Sequence, residues 1–325
     1  MRRSAPAVWL ALLLAAVALL SLLPGRAGWL LPWRLRGQDA DLARLILWEL
    51  RLPRLLLGLL AGAALGLAGA VLQGLTRNPL AEPGLIGVSS GASLGAVIAI
   101  YSGLGSAFAL AVPLFGLGGA LLGTVLTLAL GGAGGMLSLI LAGAAVSGLL
   151  LAGTALVLNL APNPYAAYEI SHWMLGSLAD RSWSQLGLAA PFVLLGMAIL
   201  LGTGGALDAL SLGELQAASL GVDLRSLRRR VVAGTALAVG AATAVTGTIG
   251  FIGLLAPHLV RGAAGHSPRR ALLPSTLMGA LLLLVADLIA RLLPLQQELQ
   301  LGVLTGLVGS PFFLWLVWRM QRESP

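Results

Sequence analysis

The sequence has neither cysteine nor lysine, and only 10% of its 325 residues are charged. Without cysteine the chain has no disulfide, no thiolate metal site and no cysteine nucleophile. Without lysine it has no Walker A loop, because that phosphate-binding loop depends on a lysine. The chain therefore does not bind ATP in that way, and all 20 of its basic residues are arginines.

Long apolar runs take the place of charge, and hydrophobic residues make up 58% of the chain. A helix needs about 20 apolar residues to cross the hydrocarbon core of a bilayer. The runs predict an all-α polytopic membrane protein, with about ten transmembrane helices in a single domain over residues 1–325. The predicted spans are 7–23, 53–75, 84–101, 108–130, 137–158, 186–202, 231–247, 249–262, 271–292 and 301–318.

The first apolar run follows Met1-Arg2-Arg3 and could also be a signal peptide. It is longer than the roughly 7–15 apolar residues of a typical signal peptide, and a further membrane span follows it. We interpret it as a retained first helix.

The arginines border the predicted spans, so the net charge of +8 does not indicate a surface for nucleic acid. An even number of spans places both termini on one side of the membrane. That side holds twelve arginines and the other side eight. The excess predicts that both termini are cytoplasmic.

The segment from Arg51 to Gly95 is predicted to form a helical hairpin across the membrane. Glycines recur at every fourth position on both sides of a polar break, so each set lies on one helical face and lets another helix approach closely. The break, residues 77–83, contains two prolines and cannot continue a helix. The glycines are Gly58, Gly62 and Gly66 before the break and Gly87, Gly91 and Gly95 after it, and Gly119 and Gly123 form a similar pair.

A weak internal repeat suggests two similar halves. The arginine pair Arg51-x-x-Arg54 precedes one span, and Arg225-x-x-Arg228 precedes another. Each of these spans leads to a break marked by a proline. Such a pseudo-repeated arrangement is typical of transporters.

No catalytic residue, metal site or cofactor is predicted. Two overlapping G-x-S-x-G patterns contain Ser89 and Ser93, but serine hydrolases place this pattern at a strand-to-helix elbow with a partner histidine. Here it lies in a predicted membrane helix whose glycines already recur for packing. His172 and His258 have no second ligand at helical spacing.

Four charged residues lie inside spans or at their edges. Asp287 and Arg291 are spaced to meet on one helical face, either as a structural ion pair or as part of a proton relay. Arg51 and Arg54 start a helix, where the helix dipole disfavours positive charge by about 0.3–1 kcal/mol each. They could reach towards the interface, or present charge to an acidic partner outside.

The longest polar stretch, about residues 203–230, is predicted to be cytoplasmic. A short amphipathic helix within it ends near Gly221, a residue suited to a helix C-terminus. The helix could lie on the membrane or insert into a groove of a partner protein, and its flanking glycines favour docking. Its apolar positions are Leu212, Leu215, Ala218 and Leu220.

Eight motifs in order make the chain resemble the permease subunits of the binding-protein-dependent ABC importers for vitamin B12, haem and ferric siderophores, the iron-chelate permease family. They extend over essentially the whole chain after the first helix. One departure is Gln300, where the family commonly has proline. The motifs are RLPR at 51–54, NPLAEPGLIGVSSG at 78–91, WMLGSL at 173–178, SLGELQAASLGV at 211–222, GTIGFIGLLAPHLVR at 247–261, LLPSTLMGA at 272–280, ADLIAR at 286–291 and GVLTGLVGSPFFLWLV at 302–317.

The resemblance implies a cellular location and a set of partner proteins. It implies a subunit of the bacterial inner membrane without enzymatic activity, paired as a homodimer whose interface holds the pathway. Two cytoplasmic ATP-binding-cassette ATPases and a periplasmic or lipid-anchored substrate-binding protein would complete the importer, in contact with membrane lipid and without nucleic acid.

The resemblance also implies roles for individual residues. Outward arginines would meet acidic residues of the binding protein, and they match Arg51, Arg54 and Arg291. Part of the inner gate would lie in the first hairpin turn, at Asn78 and Leu80. The helix that couples to the ATPase would contain Leu212, Gly213, Glu214, Leu215, Ala218, Leu220 and Gly221.

The sequence therefore predicts the permease subunit of an ATP-driven importer that moves a metal chelate, a ferric siderophore or haem, by alternating access. A cobalamin importer permease of the same family is the first alternative. An ion-coupled secondary transporter is the alternative from a different class, although the spans hold almost no ionisable residues for an ion site. A membrane serine protease is the third.

Overall fold

The computed structural model describes residues 5–24, 38–132, 134–295 and 297–323, and these residues form helices joined by turns, without strands. The predicted all-α class is confirmed. Arg2 and Arg3, which the orientation prediction uses, lie outside the described residues. The helices are α1 Ala5–Ser21, α2 Gln38–Leu45, α3 Leu52–Thr76, α4 Val88–Tyr101, α5 Leu104–Ala107, α6 Ala111–Gly131, α7 Met136–Asn159, α8 Pro164–Met174, α9 Trp183–Leu201, α10 Gly204–Leu210, α11 Glu214–Ser219, α12 Leu224–Thr235, α13 Ala241–Thr246, α14 Ile252–Val260, α15 Pro268–Leu292 and α16 Leu301–Glu323.

Two π-helical turns lie within the long helices that contain the repeated arginine pairs. Ile46–Arg51 joins α2 to α3, and Ala236–Gly240 joins α12 to α13. A π turn adds a residue to a helical turn and is frequent at functional sites. Both long helices therefore carry the same local irregularity, at different points along their length.

Six helices of the described part are long and apolar enough to cross a membrane, namely those within Asp41–Thr76, Ala111–Gly131, Met136–Asn159, Trp183–Leu201, Pro268–Leu292 and Leu301–Arg319. Two shorter apolar helices lie at Ala7–Ser21 and Val88–Tyr101. With the continuous segment α12–α13 and the short helix α14, the described residues contain the ten segments that the sequence predicts.

Some predicted boundaries were wrong. The third span begins at Val88 instead of residue 84, because Pro83–Ile86 forms a 3-10 turn before it. The eighth begins at Ile252 instead of 249, after Phe251 in the left-handed conformation. The stretch 159–185 contains α8, which starts at Pro164 and is capped by the side chain of Asn163.

Helix α3 is central in the bundle. In the continuous helical segment Asp41–Thr76, which contains α3, 78% of the apolar 18-residue stretch is buried, against 22% of the corresponding stretch in α16. Its predicted glycine face contacts α15, which confirms the close packing. A Cβ at Gly62 would lie 2.5 Å from the Gly279 carbonyl oxygen, and one at Gly66 would lie 2.2 Å from that of Ser275. The two backbones are therefore too close for any side chain at these positions.

The second glycine set brings the backbones of α4 and α6 into equally close contact. A Cβ at Gly91 would lie 2.3 Å from the Gly119 carbonyl oxygen, and one at Gly123 would lie 2.6 Å from that of Gly87. Where burial in lipid gives no hydrophobic gain, such backbone contact is a main source of helix association.

The start of α14 packs against both α3 and the break that follows it. A Cβ at Gly69 would lie only 1.8 Å from the Gly253 carbonyl oxygen, and one at Gly253 would lie 2.9 Å from Pro83. The start of α14 is therefore packed directly on the break that follows α3.

Candidate functional site

Arginines and acids from distant parts of the chain form one buried cluster. Arg54 Nη2 lies 2.8 Å from Asp287 Oδ1 and 2.8 Å from Glu298 Oε2. Arg291 Nη2 lies 2.9 Å from the other oxygen, Asp287 Oδ2. Because arginines engage both oxygens of Asp287, the structural pair is favoured over the proton relay.

The end of α1 completes this cluster. Arg51 Nη1 donates hydrogen bonds to the carbonyl oxygens of Leu22 and Leu23, at 2.6 and 2.7 Å. Arg291 Nη1 donates to the Ser21 carbonyl oxygen at 2.8 Å. These carbonyls lie at a helix C-terminus, which attracts positive charge. The arginines therefore fix the end of α1 to α3 and α15.

We call these five residues the arginine cluster: Arg51, Arg54, Asp287, Arg291 and Glu298. The structure brings together all three arginines expected to dock a binding protein. Their side chains are nevertheless largely buried, 13% exposed for Arg54 and 5% for Arg291. Sequence reasoning missed Glu298, because an acid in a loop 244 residues from its partner leaves no periodic signal.

A cavity of about 260 Å³ lies at the same end of the bundle, lined by residues of α4, α6, α8, α9 and α13 and of the loops before α6 and α9. Its charged lining residues are Glu169, Asp180 and Arg181. Burial lowers the pKa of Arg181 to about 10; Asp180 opposes this shift and Arg54 adds to it. The Arg181 Nε donates to the Ser177 carbonyl oxygen at 3.3 Å.

The short helix predicted in the polar stretch is present as α11, flanked by exposed apolar side chains. Leu215 is 84% exposed, more than any other large hydrophobic residue of the described part, while Ala217 is fully buried. Leu212 and Leu220 are 64% and 65% exposed, and Ala218 is also exposed. We call these four exposed residues, Leu212, Leu215, Ala218 and Leu220, the α11 surface.

Two glycines set the ends of α11. Gly213 precedes Glu214 with φ 118°, and Gly221 follows the helix with φ 84°. The Val222 N–H donates to the Ala217 carbonyl oxygen at 3.0 Å, as in a Schellman motif. The chain then re-enters a helix at once, because Asp223 caps α12. The α11 surface is therefore held on a short, tightly bounded loop.

The predicted gate residues lie in the turn after α3. Arg77 ends the helix in the left-handed conformation, with φ 50°. Asn78 Oδ1 accepts a hydrogen bond from the Leu80 N–H at 2.9 Å, a side-chain turn typical of asparagine. Asn78 is exposed and Leu80 is half-buried.

The serines of the G-x-S-x-G patterns lie inside α4, without the elbow that a hydrolase requires. The Ser93 hydroxyl donates to the Ser89 carbonyl oxygen at 3.0 Å, as helical serines commonly do. Among the described residues no group of His, Cys, Asp and Glu could hold a metal ion. His172 instead lies 3.0 Å from the Gln300 side-chain nitrogen.

Comparisons with known proteins match almost the whole chain to one transport family. The model of the FecCD transport family matches residues 11–319. The hemin transport permease of Yersinia pestis is 41% identical over 281 residues, which cover 85% of this chain and 84% of the relative. The vitamin B12 import permease of Vibrio cholerae is 43% identical over 323 residues, covering 94% and 92%.

Two further likenesses extend over almost the whole chain. The Fe(3+) dicitrate permease of Escherichia coli is 38% identical over 317 residues, covering 97% of this chain and 98% of the relative. A solved structure described as an inward-facing conformation of a metal-chelate type ABC transporter matches with a TM-score of 0.86 and 34% identity, covering 96% and 98%.

Proposed function

Because the chain belongs to the FecCD transport family, we propose that its cargo is an iron chelate, either a ferric siderophore or haem. The chain is a multi-pass permease subunit of an ATP-binding-cassette importer in the inner membrane. It is not itself an enzyme, and ATP hydrolysis belongs to a separate subunit. The observation that carries this conclusion is the family match from residue 11 to 319.

The cargo proposal draws on the relatives and on the cavity of about 260 Å³ that Arg181 lines. Relatives that carry hemin and Fe(3+) dicitrate are 41% and 38% identical, and one that carries vitamin B12 is 43% identical. Identity therefore does not separate these cargoes. Arginine recognises carboxylates through paired hydrogen bonds. Haem and citrate carry carboxylates and the periphery of vitamin B12 carries amides, so Arg181 favours the iron chelates.

The α11 surface is proposed as the contact with the ATPase. Its exposed leucines form an apolar face at a loop, where a partner with a groove would cover them. A push on this loop would reach the bundle through α10, because Asp208 Oδ1 accepts bonds from Ser267 Oγ and the Arg269 N–H at 2.9 and 3.0 Å. The start of α15 would then move with the ATPase, giving alternating access.

The arginine cluster is proposed as the docking region for the binding protein. Arg51, Arg54 and Arg291 are engaged within the chain. Carboxylates of a binding protein would therefore compete with Glu298 or with the carbonyls at the end of α1. Asn78 and Leu80 are proposed as part of the inner gate, because their turn projects from the end of α3.

The proposed assembly is a homodimer with two ATPases and one periplasmic or lipid-anchored binding protein, with both termini cytoplasmic. The arginine excess supports the orientation. In that orientation the arginine cluster faces the periplasm and the α11 surface faces the cytoplasm. Each partner then meets the surface proposed for it.

Uptake by proteoliposomes tests the function. Vesicles that contain the permease with its ATPase, internal ATP and external binding protein should accumulate chelate, while a proton or sodium gradient without the ATPase should not. Haem, a ferric siderophore and cobalamin are offered singly and in competition. Gradient-driven uptake that Asp287→Asn abolishes in folded protein would favour the secondary transporter. ATP-driven uptake of cobalamin alone would replace the iron chelate as cargo.

A further inference from the structure

A cavity of about 280 Å³ lies at the C-terminal end of α3, on the end of the bundle that carries the α11 surface. Its walls come from α3 and the turn after it, the loop between α10 and α11, α14 with the turn after it, and the start of α15. Two arginines line it, Arg77 and Arg261, beside His266, and its described lining residues include no carboxylate. We call it the basic cavity.

Both arginines keep hydrogen-bond donors available for a ligand. Arg261 Nη2 donates to the Gln73 side-chain oxygen at 3.0 Å, and this amide is neutral. Arg77 has no side-chain hydrogen bond or ion pair with the residues that the structure describes. Because a guanidinium has five N–H donors, an anion in the cavity could be bound by both side chains.

One acid lies next to the cavity without lining it. Asp208 Oδ1 accepts hydrogen bonds from the hydroxyl of Ser267, a lining residue, and from the Arg269 N–H, at 2.9 and 3.0 Å. A single carboxylate balances at most one of the two arginine charges. The cavity therefore keeps a net positive charge, which attracts an acidic group.

The size and lining of the cavity limit which anion it can hold. Pockets for drug-sized ligands occupy roughly 300–1,000 Å³, so a volume of about 280 Å³ suits one acidic side chain better than a nucleotide. The apolar part of the described lining consists of alanine, glycine and proline, without leucine or an aromatic residue. It offers little surface to an acyl chain, so a phospholipid headgroup is disfavoured.

The cavity adjoins the surface proposed for the ATPase. Ser211 lines the cavity, and the next residue, Leu212, belongs to the α11 surface and is 64% exposed. Arg77 and His266 are exposed at the cavity. A protein that covers the leucines of the α11 surface is therefore placed to reach the two arginines.

We propose that the basic cavity receives a carboxylate side chain of the partner ATPase, as a charged contact beside the apolar contact at the α11 surface. This inference rests on the proposed function, which supplies the ATPase. Arginine binds carboxylates through charge-assisted hydrogen bonds, often in pairs. Arg77 directly precedes the proposed gate residue Asn78, and Arg261 ends α14. The carboxylate therefore links movement of the ATPase to the turn after α3 and to α14.

Crosslinking of the detergent-solubilised complex tests the contact directly. The chain has no lysine, so Arg77→Lys introduces its only side-chain amine and keeps the positive charge. A carbodiimide joins an amine to a carboxylate without a spacer, so it should couple this position to an aspartate or glutamate of the ATPase, which mass spectrometry identifies. Arg270→Lys, at an exposed position of α15 outside the cavity, is the matched control and should give no such crosslinked peptide.

Affinity measurements test whether the contact contributes to binding. Arg77→Asn removes the charge, and asparagine tolerates the left-handed conformation of this residue. Affinity for the ATPase should fall about threefold to fivefold, as for an exposed ion pair, and should depend less on salt. Arg77→Lys should retain most of the affinity, and Arg270→Gln should change it less than about twofold. Thermal unfolding of the isolated permease checks that each variant is folded.

Two results would overturn this inference and leave the proposed function standing. In the first, the ATPase binds the parent and is lost with Leu215→Asp, but it neither crosslinks to Arg77→Lys nor responds to Arg77→Asn. In the second, Arg77→Asn abolishes retention of phosphatidylglycerol while ATPase affinity is unchanged, which would assign the cavity to lipid. An ATPase that does not bind the parent permease at all would contradict the proposed function itself.

Discussion

The two ends of the helix bundle differ in which side chains they bury and which they expose. At the arginine cluster, Arg54, Asp287 and Arg291 are buried and satisfied within the chain at distances of 2.8–2.9 Å. At the α11 surface, Leu215 is 84% exposed and Leu220 is 65% exposed. Charge is covered at one end, and apolar surface is left uncovered at the other.

This difference separates stability from assembly. A buried charge network depends on each of its members, because removal of one leaves its partners uncompensated. An exposed leucine contributes little to the free energy of folding and much to an interface that buries it. Substitutions at the arginine cluster should therefore lower the stability of the subunit, whereas substitutions at the α11 surface should leave it folded but unable to bind its partner.

The largest effect is expected for Asp287→Asn. The side chain is 2% exposed and lies between Arg54 and Arg291, so its loss leaves two buried cations with one remaining acid, Glu298. We expect the free energy of unfolding to fall by about 3–5 kcal/mol. Equilibrium unfolding in mixed detergent micelles measures this change.

The control for this substitution is Glu49→Gln, since Glu49 is an exposed acid shortly before Arg51. It should alter stability by no more than about 0.5 kcal/mol. If Asp287→Asn proved equally harmless, the cluster would not stabilise the bundle, and the contrast between the two ends would be lost.

The next effect is on assembly. Leu215→Asp places a charge on the most exposed large apolar residue of the described part, and it should lower affinity for the ATPase by about 2 kcal/mol or more, as at an interface hot spot. Thermal unfolding of the isolated permease should not change. Ala263→Asp, an exposed position in the turn before α15, is the matched control and should leave co-purification intact. A complex that survives Leu215→Asp would place the ATPase elsewhere.

Most of the membrane fold was predictable because its signals are local. Apolar length gave the ten segments, and glycines at every fourth residue gave the faces that pack at Gly62 and Gly91. The amphipathic pattern located α11 and its C-terminal Gly221 correctly. These features depend on residues a few positions apart, within the range of helical periodicity.

The remaining features depend on residues far apart in the chain. Glu298 reaches Arg54, and the carbonyls at the end of α1 reach Arg51 and Arg291, across 28 to 270 positions. No periodicity reports such contacts. The late starts of α4 and α14 likewise depend on left-handed residues at Gly87 and Phe251, and an aromatic residue seldom adopts that conformation.

Arg51→Gln tests how strongly the cluster fixes α1. Its bonds to the Leu22 and Leu23 carbonyls at 2.6 and 2.7 Å carry charge, and such bonds contribute about 1.5–3 kcal/mol. Limited proteolysis and hydrogen exchange should show faster opening at the end of α1, with the rest of the bundle unchanged. Arg44→Gln, at an exposed position of α2, serves as the comparison. Unchanged protection in Arg51→Gln would mean that α1 is held by other contacts.

The smallest effect is expected at the end of α11, where Gly221 has φ 84° and no neighbouring atom within 4 Å of a built Cβ. Gly221→Ala therefore meets no steric clash, and its cost comes from the left-handed backbone alone, about 1–2 kcal/mol. Gly221→Asn should recover part of this loss, because asparagine tolerates the conformation. The strain falls on the loop that presents Leu215 and Leu220, so ATPase affinity should weaken in the order Gly, Asn, Ala while thermal stability of the bundle barely changes. Equal affinity in all three proteins would show that the α11 surface binds without a fixed helix end.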